Sequence, residues 1–206
     1  MRIIKPSIEI INATENMLPT LELAGRTCYK SEDRMIEGSA EKFVERMMSS
    51  KHESVLEHAL ITVRFVIDRG ISHQIVRHRI ASYSQESTRY VNYSKDKFGG
   101  EITVIEPIMF KGKPELMDTW RNQCMSAESA YFSLLHQGAK PEEARNVLPT
   151  STKTELIVSM NPRAWRHAIK ERVNKSAHPQ IREVFVPLLA EFTERWSPLF
   201  TNDLSR

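Results

Sequence analysis

The chain has 206 residues, of which 40% are hydrophobic and 27% charged, and this composition predicts one compact domain, residues 1–206, with its own core. The formal net charge is only +3 and acidic residues are interleaved with basic ones, which argues against nonspecific nucleic-acid binding and leaves small anionic ligands open. No uncharged stretch approaches membrane-spanning length and the first residues lack the pattern of a secretion signal, so we expect a cytoplasmic protein without membrane contact.

The first part of the chain predicts a strand and two helices. Residues 3–12 alternate loosely in polarity, as in a strand, while Pro19 begins a helix that runs to residue 29. Ser39 is placed as the N-cap of the second helix. Cys28 and Cys124 are far apart and neither belongs to a CxxC pair, so we expect two buried thiols rather than a disulfide or a zinc site.

Histidines and glutamates cluster at residues 52–58. His52 and His58 stand six positions apart, whereas a helical zinc pair needs its histidines on adjacent turns. No metal site is therefore predicted. Two interpretations stay open: a structural cluster satisfied by its own hydrogen bonds, and the polar wall of a site for an organic ligand.

The clearest strand is predicted at residues 59–68, where apolar and polar side chains alternate. Residues 71–78 then predict a short helix, with Ile71, Ile75 and Val76 facing inward. That orientation leaves Gln74 and Arg77 at one edge of the helix.

The second half predicts two strands and four helices, at residues 102–105, 117–134, 141–149, 154–160, 161–172 and 178–200. Gly138 is the expected stop of the longest helix. In the helix that begins at Asn161, one face carries Arg163, then Arg166 or His167, and Lys170. Their charge fits a cationic edge for a ligand and a solvated helix face equally well.

Residues 77–89, RHRIASYSQESTR, concentrate three arginines, a histidine and several hydroxyls in one segment. Guanidinium groups offer forked donors that match phosphate oxygens, and the hydroxyls add smaller donors, so the segment predicts an anion-binding site. By composition alone, a solvated surface segment is the commoner outcome. The chain has no Gly-rich phosphate loop, so side chains must supply most contacts to any nucleotide.

The spacing RHRxxSxxxxSxR in this segment resembles the signature of the flavin-dependent thymidylate synthases, and every fixed position matches. Other segments resemble the same family: His52 with Ser54 and Glu57-His58, Gln74 before Arg77, Ala144-Arg145 with Leu148-Pro149, and Asn161, Arg163 and Arg172. The chain departs from the family at residues 177–182, AHPQIR, where the usual pattern is AQxEIR.

The resemblance implies an α/β fold of the α+β type, a single domain with a central, largely antiparallel sheet flanked by helices. It also implies a homotetramer with active sites between subunits. The implied reaction methylates dUMP to dTMP, with FAD as cofactor, NADPH as reductant and 5,10-methylenetetrahydrofolate as carbon donor. No enzyme cysteine attacks the pyrimidine, because the flavin cofactor carries the redox chemistry.

The resemblance also assigns site residues. It assigns dUMP binding to Gln74, Ile75, Val76, Arg77, Gln85, Glu86, Ser87, Thr88, Arg89, Arg145 and Arg172. It assigns FAD binding to His52, Ser54, Glu57, Arg77, His78, Arg79, Gln85, Asn161, Arg163 and His167. Arg172 is the catalytic candidate, because a fixed cation beside N3 of uracil stabilises the ionised base.

Two other functional classes remain as alternatives. A nucleic-acid binder would use the arginines for phosphates and Tyr83, Tyr90 and Tyr93 for stacking on bases, but the modest net charge disfavours it. A metal-dependent hydrolase would be built on His52 and His58, whose spacing disfavours it.

Overall fold

The computed structural model describes residues 1–95, 99–201 and 204. Its strands are β1 Arg2–Ile4, β2 Ser7–Ala13, β3 Ile61–Asp68, β4 Ser82–Gln85, β5 Thr103–Ile105 and β6 Lys153–Met160. Its helices are α1 Met17–Thr27, α2 Ser39–Ser49, α3 Arg69–Ile75, α4 Pro114–His136, α5 Pro141–Ala144, α6 Pro162–Val173 and α7 Pro179–Trp196. Short 3-10 turns cover Glu32–Arg34, Glu53–His58, Ile108–Phe110 and Arg145–Val147.

The strands form two sheets. One has four strands in the order β2, β3, β6, β4, and the other is the parallel pair of β1 with β5. Strands β3 and β6 run antiparallel, because the hydroxyls of Thr62 and Ser159 lie 2.9 Å apart at one end and the Arg69 amide donates to the Thr152 carbonyl at the other. The expected mixed fold with an antiparallel sheet and helices is confirmed.

The chain divides into two compact units. The first unit contains Met1–Ser7, Phe65–Arg77 and Ser84–Leu156. Helix α4 contributes Cys124 and Tyr131 to its core, where they pack with Ile102 and Val104. The predicted period of three and four along α4 therefore marks core residues, and Gly138, at φ 93°, lies just beyond the helix end as expected.

The second unit contains Ile8–Arg64, His78–Tyr83 and Ile157–Arg206. Helices α6 and α7 pack around Trp165, whose side chain is fully buried and whose indole donates to the Ile61 carbonyl at 3.0 Å. Phe192 meets Trp165 edge-on at 5.5 Å and Phe200 at 4.8 Å. This aromatic cluster fixes α6, the helix that carries several candidate site residues.

Several sequence predictions are wrong in detail. Ser39 is the first residue of α2 rather than its N-cap, which is Gly38. The strand expected at residues 3–12 is two strands separated at Lys5 and Pro6, because proline has no amide proton to give to a ladder. Cys28 is exposed rather than buried, since α1 ends at Thr27 before its buried stripe reaches that position. Val76 is 37% exposed, because α3 ends at Ile75, whereas Ile71 and Ile75 are buried as expected.

Within the described residues, no helix has the length and apolarity needed to cross a membrane.

Candidate functional site

A cavity of about 320 Å³ in the second unit collects residues from three separate segments. Six of the ten predicted FAD residues line it: Glu57, His78, Arg79, Asn161, Arg163 and His167. Ile80 and Ala164 complete the lining, although neither was predicted from sequence. Aromatic, amide and guanidinium groups thus converge on one space of a size suited to a flat ligand.

Helix α6 positions three of these side chains. Asn161 is its N-cap, and the side-chain oxygen accepts a hydrogen bond from the Ala164 amide at 2.8 Å. In the part of the chain that the structure describes, its two amide protons have no acceptor, so this cavity-lining side chain can donate to a ligand. Arg163 and His167 follow four residues apart, so both lie on the same helix face.

Arg163 is paired with acidic residues of the turn Glu53–His58. Its guanidinium donates to Glu57 at 2.6 Å and lies 3.5 Å from Glu53, while the side chain stays 50% exposed. The hydrogen bond with Glu57 raises the pKa of Arg163 further above its usual range. A bound anion would therefore compete with a carboxylate for this exposed cation.

His78, which lines the cavity and is buried, is bound by Arg172 of α6. The Nε of Arg172 donates to Nε2 of His78 at 2.8 Å, so this imidazole is neutral and carries its proton on Nδ1. Burial, and next the charge of Arg172, lowers the pKa of His78 to about 4. The Tyr83 hydroxyl donates to the His78 carbonyl and fixes the backbone at the same point.

Ile80 stands in an unusual backbone conformation beside His78. Its φ is 64°, in the left-handed region that a β-branched residue rarely enters, and its side chain is 79% exposed. Such outliers concentrate at ligand sites, and the sequence gives no sign of this one.

A second cavity, of about 420 Å³, is lined by the cationic face of α6. Arg163, Arg166, His167 and Lys170 all contribute to it, together with Glu53. The Arg166 guanidinium is already bound to the Leu199 carbonyl. The shared face predicted for this helix is confirmed, and it borders a concave surface.

In the first unit, buried hydroxyls position Gln85. Its side-chain nitrogen donates to Ser72 at 2.9 Å and to Thr154 at 3.2 Å, and both hydroxyl residues are fully buried. The Ser72 hydroxyl donates its own proton to the Arg69 carbonyl, so it acts as the acceptor for Gln85. Within the described chain no donor reaches the Gln85 side-chain oxygen, which can therefore accept an N–H from a ligand.

The segment after Gln85 is held by charged and polar contacts of the first unit. Lys153 binds Glu86 at 3.0 Å, and the Arg69 guanidinium donates to the Glu86 carbonyl at 3.3 Å. Arg145 reaches the Thr88 hydroxyl at 3.5 Å. These contacts link the predicted dUMP residues of two segments, 85–89 and Arg145.

Arg89 and Ser87 show how the end of this segment is arranged. The Arg89 guanidinium donates to Glu142 at 2.8 Å and lies 5.3 Å from the Tyr90 ring centre. The Ser87 hydroxyl accepts the Arg89 amide at 3.2 Å, which suits a positioning role rather than a nucleophile. Glu142 was not predicted, and neither were the Ser72 and Thr154 hydroxyls that accept from Gln85, because no local sequence pattern marks them.

The remaining candidates are more scattered. Arg77 and Ser54 are exposed, and Ile75 is fully buried, so only its backbone can serve a ligand. Gln74 is half-buried on α3. His52 is exposed and lines a different cavity from the other FAD candidates.

The described residues contain no group of three or more His, Cys, Asp or Glu arranged to hold a metal ion. Burial raises the pKa of the Cys124 thiol, which disfavours the thiolate that a nucleophile needs. Cys28 lies at the C-terminal end of α1, where the carbonyl dipoles do not favour an anion.

Comparison with known proteins gives a consistent family. A family profile described as "Thymidylate synthase complementing protein" matches residues 9–198. A protein of Pyrococcus furiosus named flavin-dependent thymidylate synthase is 35% identical over 197 residues, covering 91% of this chain and 79% of its own. One of the same name from Geobacter sulfurreducens is 34% identical, covering 88% of this chain and 80% of its own.

Two solved structures share the fold. Thymidylate Synthase X from Helicobacter pylori, solved with FAD and dUMP, has a TM-score of 0.79 at 21% identity and covers 98% of this chain and 99% of its own. The UMP/dUMP methylase PolB from Streptomyces cacaoi, bound with 5-Br dUMP, also has a TM-score of 0.79, at 22% identity with 94% and 93% coverage.

Proposed function

Because the chain belongs to the thymidylate synthase complementing protein family, whose matched relatives are flavin-dependent thymidylate synthases, we propose how its residues divide the work of that reaction. The activity is the flavin-dependent methylation of dUMP to dTMP. One observation carries the proposed division: predicted FAD residues from three segments line a single cavity of the second unit.

The residues of that cavity fit FAD. Arg79 and Arg163 supply cations for a pyrophosphate, Asn161 supplies amide donors, and the rings of His78 and His167 supply flat surfaces. Bound FAD would supply the redox chemistry, accepting two electrons from NADPH and passing them on toward the new methyl group. The protein therefore has to bind and orient the reactants and to exclude water from them.

The dUMP residues proposed for the first unit act as a binding set. Arg89 and Arg145 would hold the phosphate, with Ser87 and Thr88 as smaller donors. The Gln85 side-chain oxygen, left without a protein donor in the described chain, would accept an N–H of a uracil or flavin ring. The full proposed dUMP set is Gln74, Ile75, Val76, Arg77, Gln85, Glu86, Ser87, Thr88, Arg89, Arg145 and Arg172.

Arg172 is proposed as the catalytic residue. Loss of the N3 proton makes the uracil ring more electron-rich at C5, the atom that gains the carbon, and a nearby guanidinium stabilises that ionised base. The neutral His78 accepts a hydrogen bond from Nε of Arg172. Unlike a carboxylate, this imidazole does not neutralise the positive charge of the guanidinium.

Methylenetetrahydrofolate would supply the methylene carbon and leave as tetrahydrofolate. NADPH would supply two electrons as hydride and leave as NADP+, while the pyrimidine gives up its C5 proton. We propose that residues 1–206 act as one catalytic domain in a homotetramer with active sites between subunits, in the cytoplasm where nucleotides are made. Neither cysteine takes part, in line with the burial of Cys124 and the helix-end position of Cys28.

The test is a spectrum followed by an assay. Purified protein is expected to be yellow, and dTMP should form only when dUMP, methylenetetrahydrofolate and NADPH are all supplied. Colourless protein that takes up no added FAD, or dTMP formation without flavin, would overturn the proposal. Iodoacetamide treatment of Cys28 should leave turnover unchanged.

A further inference from the structure

A third cavity, of about 620 Å³, lies among the first helices of the second unit. Arg26, Tyr29, Arg34, Phe43, Arg46 and His52 contribute to its walls. Of these, only His52 has a predicted role. The proposed reaction also has two co-substrates, folate and NADPH, to which no residue has been assigned.

The floor of this cavity is apolar and closely packed. Gly25 of α1 lies so near α2 that a Cβ at this position would come within 2.6 Å of the Phe43 ring. Phe43 is 9% exposed, and Met47, one turn further along α2, also lines the cavity. Tyr29, 75% exposed, adds a second aromatic surface at the wall. The cavity therefore offers two aromatic rings for dispersion contacts with a flat aromatic ligand.

Arg26 belongs to the framework of the cavity. It donates to the buried Glu22 at 2.7 Å and to the Ser31 carbonyl at 3.5 Å, and it lies 5.0 Å from the Phe43 ring centre. Its charge is therefore matched inside the protein. Any net charge offered to a ligand must come from other residues.

Arg34 and Arg46 supply that charge. Both are exposed, both line the cavity, and in the described part of the chain neither has a carboxylate partner. By contrast, Arg89 and Arg163 are each bound to a glutamate. Lys30 adds a third cation, 3.8 Å from Glu32, and Asp33 is the one acid of the described lining.

We propose that this cavity binds the end of a co-substrate in which an aromatic ring carries a multiply charged anionic group, with Arg34 and Arg46 as its ligands. The inference rests on the proposed function, because both co-substrates contain such an end. In folate it is the p-aminobenzoyl ring with its glutamyl carboxylates, and in NADPH it is the adenosine with its 2′-phosphate. Forked guanidinium donors suit either anion, and Phe43 and Tyr29 suit either ring.

The test is direct binding to the FAD-loaded, dUMP-saturated enzyme by calorimetry. One probe is p-aminobenzoyl-triglutamate, compared with p-aminobenzoate, and the other is adenosine 2′,5′-bisphosphate, compared with AMP. The variants are Arg34→Ala, Arg46→Ala and the double variant. Lys42→Ala is the matched control, because Lys42 is an exposed cation of the same helix as Arg46 but does not line the cavity.

We expect wild type to bind one of the two probes more tightly than its comparison ligand, which carries fewer negative charges, and the probe that binds identifies the co-substrate. Removal of each arginine should weaken the binding of that probe about tenfold, as expected for the loss of a charge-assisted contact. The affinity of Lys42→Ala should stay within about twofold of wild type. Flavin absorbance and melting temperature should not change. Binding of neither probe to wild type, equal binding by the double variant, or loss of flavin with the arginines would overturn the inference.

The outcome is separable from failure of the proposed function. An enzyme that holds no FAD or makes no dTMP refutes the function, whatever the probes do. An enzyme that makes dTMP normally, yet binds the probes without Arg34 and Arg46, refutes only the role of this cavity.

Discussion

Arg89 and Arg172, both proposed for dUMP, are held in opposite ways. Arg89, in the first unit, is 57% exposed and donates to the Glu142 carboxylate at 2.8 Å. Arg172, in the second unit, is half-buried and donates from Nε to a neutral imidazole nitrogen of His78. Burial lowers the pKa of Arg172, which remains charged, and the charge of Arg89 is matched by the Glu142 carboxylate.

The difference indicates two uses of the same residue type. An exposed, carboxylate-paired arginine can exchange that partner for a phosphate with little net change in free energy. A half-buried arginine bonded to His78 is already held in place, and a cation fixed in advance stabilises developing charge most effectively. Arg172 should therefore matter most to turnover, and the partner of Arg89 least.

The largest effect is expected for Arg172→Ala, with kcat for dTMP formation falling by about 10²- to 10³-fold because a fixed cation at the ionising base is lost. Arg172→Lys should recover little of the lost kcat. Lysine has no Nε–H that could bond His78 while its charged end faces the base. Steady-state kinetics at saturating dUMP provides the measurement. A lysine variant with kcat near wild type would show that charge alone is sufficient.

An acid-dependent effect is expected at His78. Its pKa is about 4 in the folded chain and near the ordinary 6.5 when unfolded, so between these pH values the unfolded chain binds more protons. The free energy of unfolding should therefore fall as pH is lowered from 6.5 to 4. His78→Gln keeps an acceptor for Arg172 but cannot be protonated, so its urea unfolding should change less with pH. Parallel pH profiles for the two proteins would refute this role of His78.

The smallest effect is expected for Glu142→Gln. The neutral amide competes less for Arg89, so the KM for dUMP should fall about two- to threefold, with kcat unchanged. The gain should shrink at high salt, because both the pair and the phosphate contact are exposed. A rise in KM would instead mean that Glu142 orients Arg89 for the nucleotide.

The sequence predicted regular elements well where one face is buried. The alternation at residues 59–68 and the steps of three and four along α4 both mark core positions, since burial imposes the period. Element ends were less accurate: Cys28 and Val76 follow the buried stripe of their helices, but each helix stops first. A local pattern does not encode where tertiary packing ends a helix.

The candidate site was predictable only as separate pieces. The signature spacing identified His78, Arg79 and, by family likeness, Asn161 and Arg163, which do line one cavity. Residues that act through three-dimensional proximity left no pattern: the strained Ile80, the partner Glu142, and the hydroxyls behind Gln85. The same holds for the cavity that joins Arg34 to Arg46.

The most direct test of the division between the two units is the flavin content of two matched variants, Arg163→Ala and Arg89→Ala. Both arginines are exposed, at 50% and 57%, and both bind a glutamate, at 2.6 Å and 2.8 Å. Flavin absorbance per polypeptide should fall strongly in Arg163→Ala and remain at the wild-type level in Arg89→Ala, whose KM for dUMP should rise instead. Equal flavin loss in the two variants, or loss only in Arg89→Ala, would contradict the account.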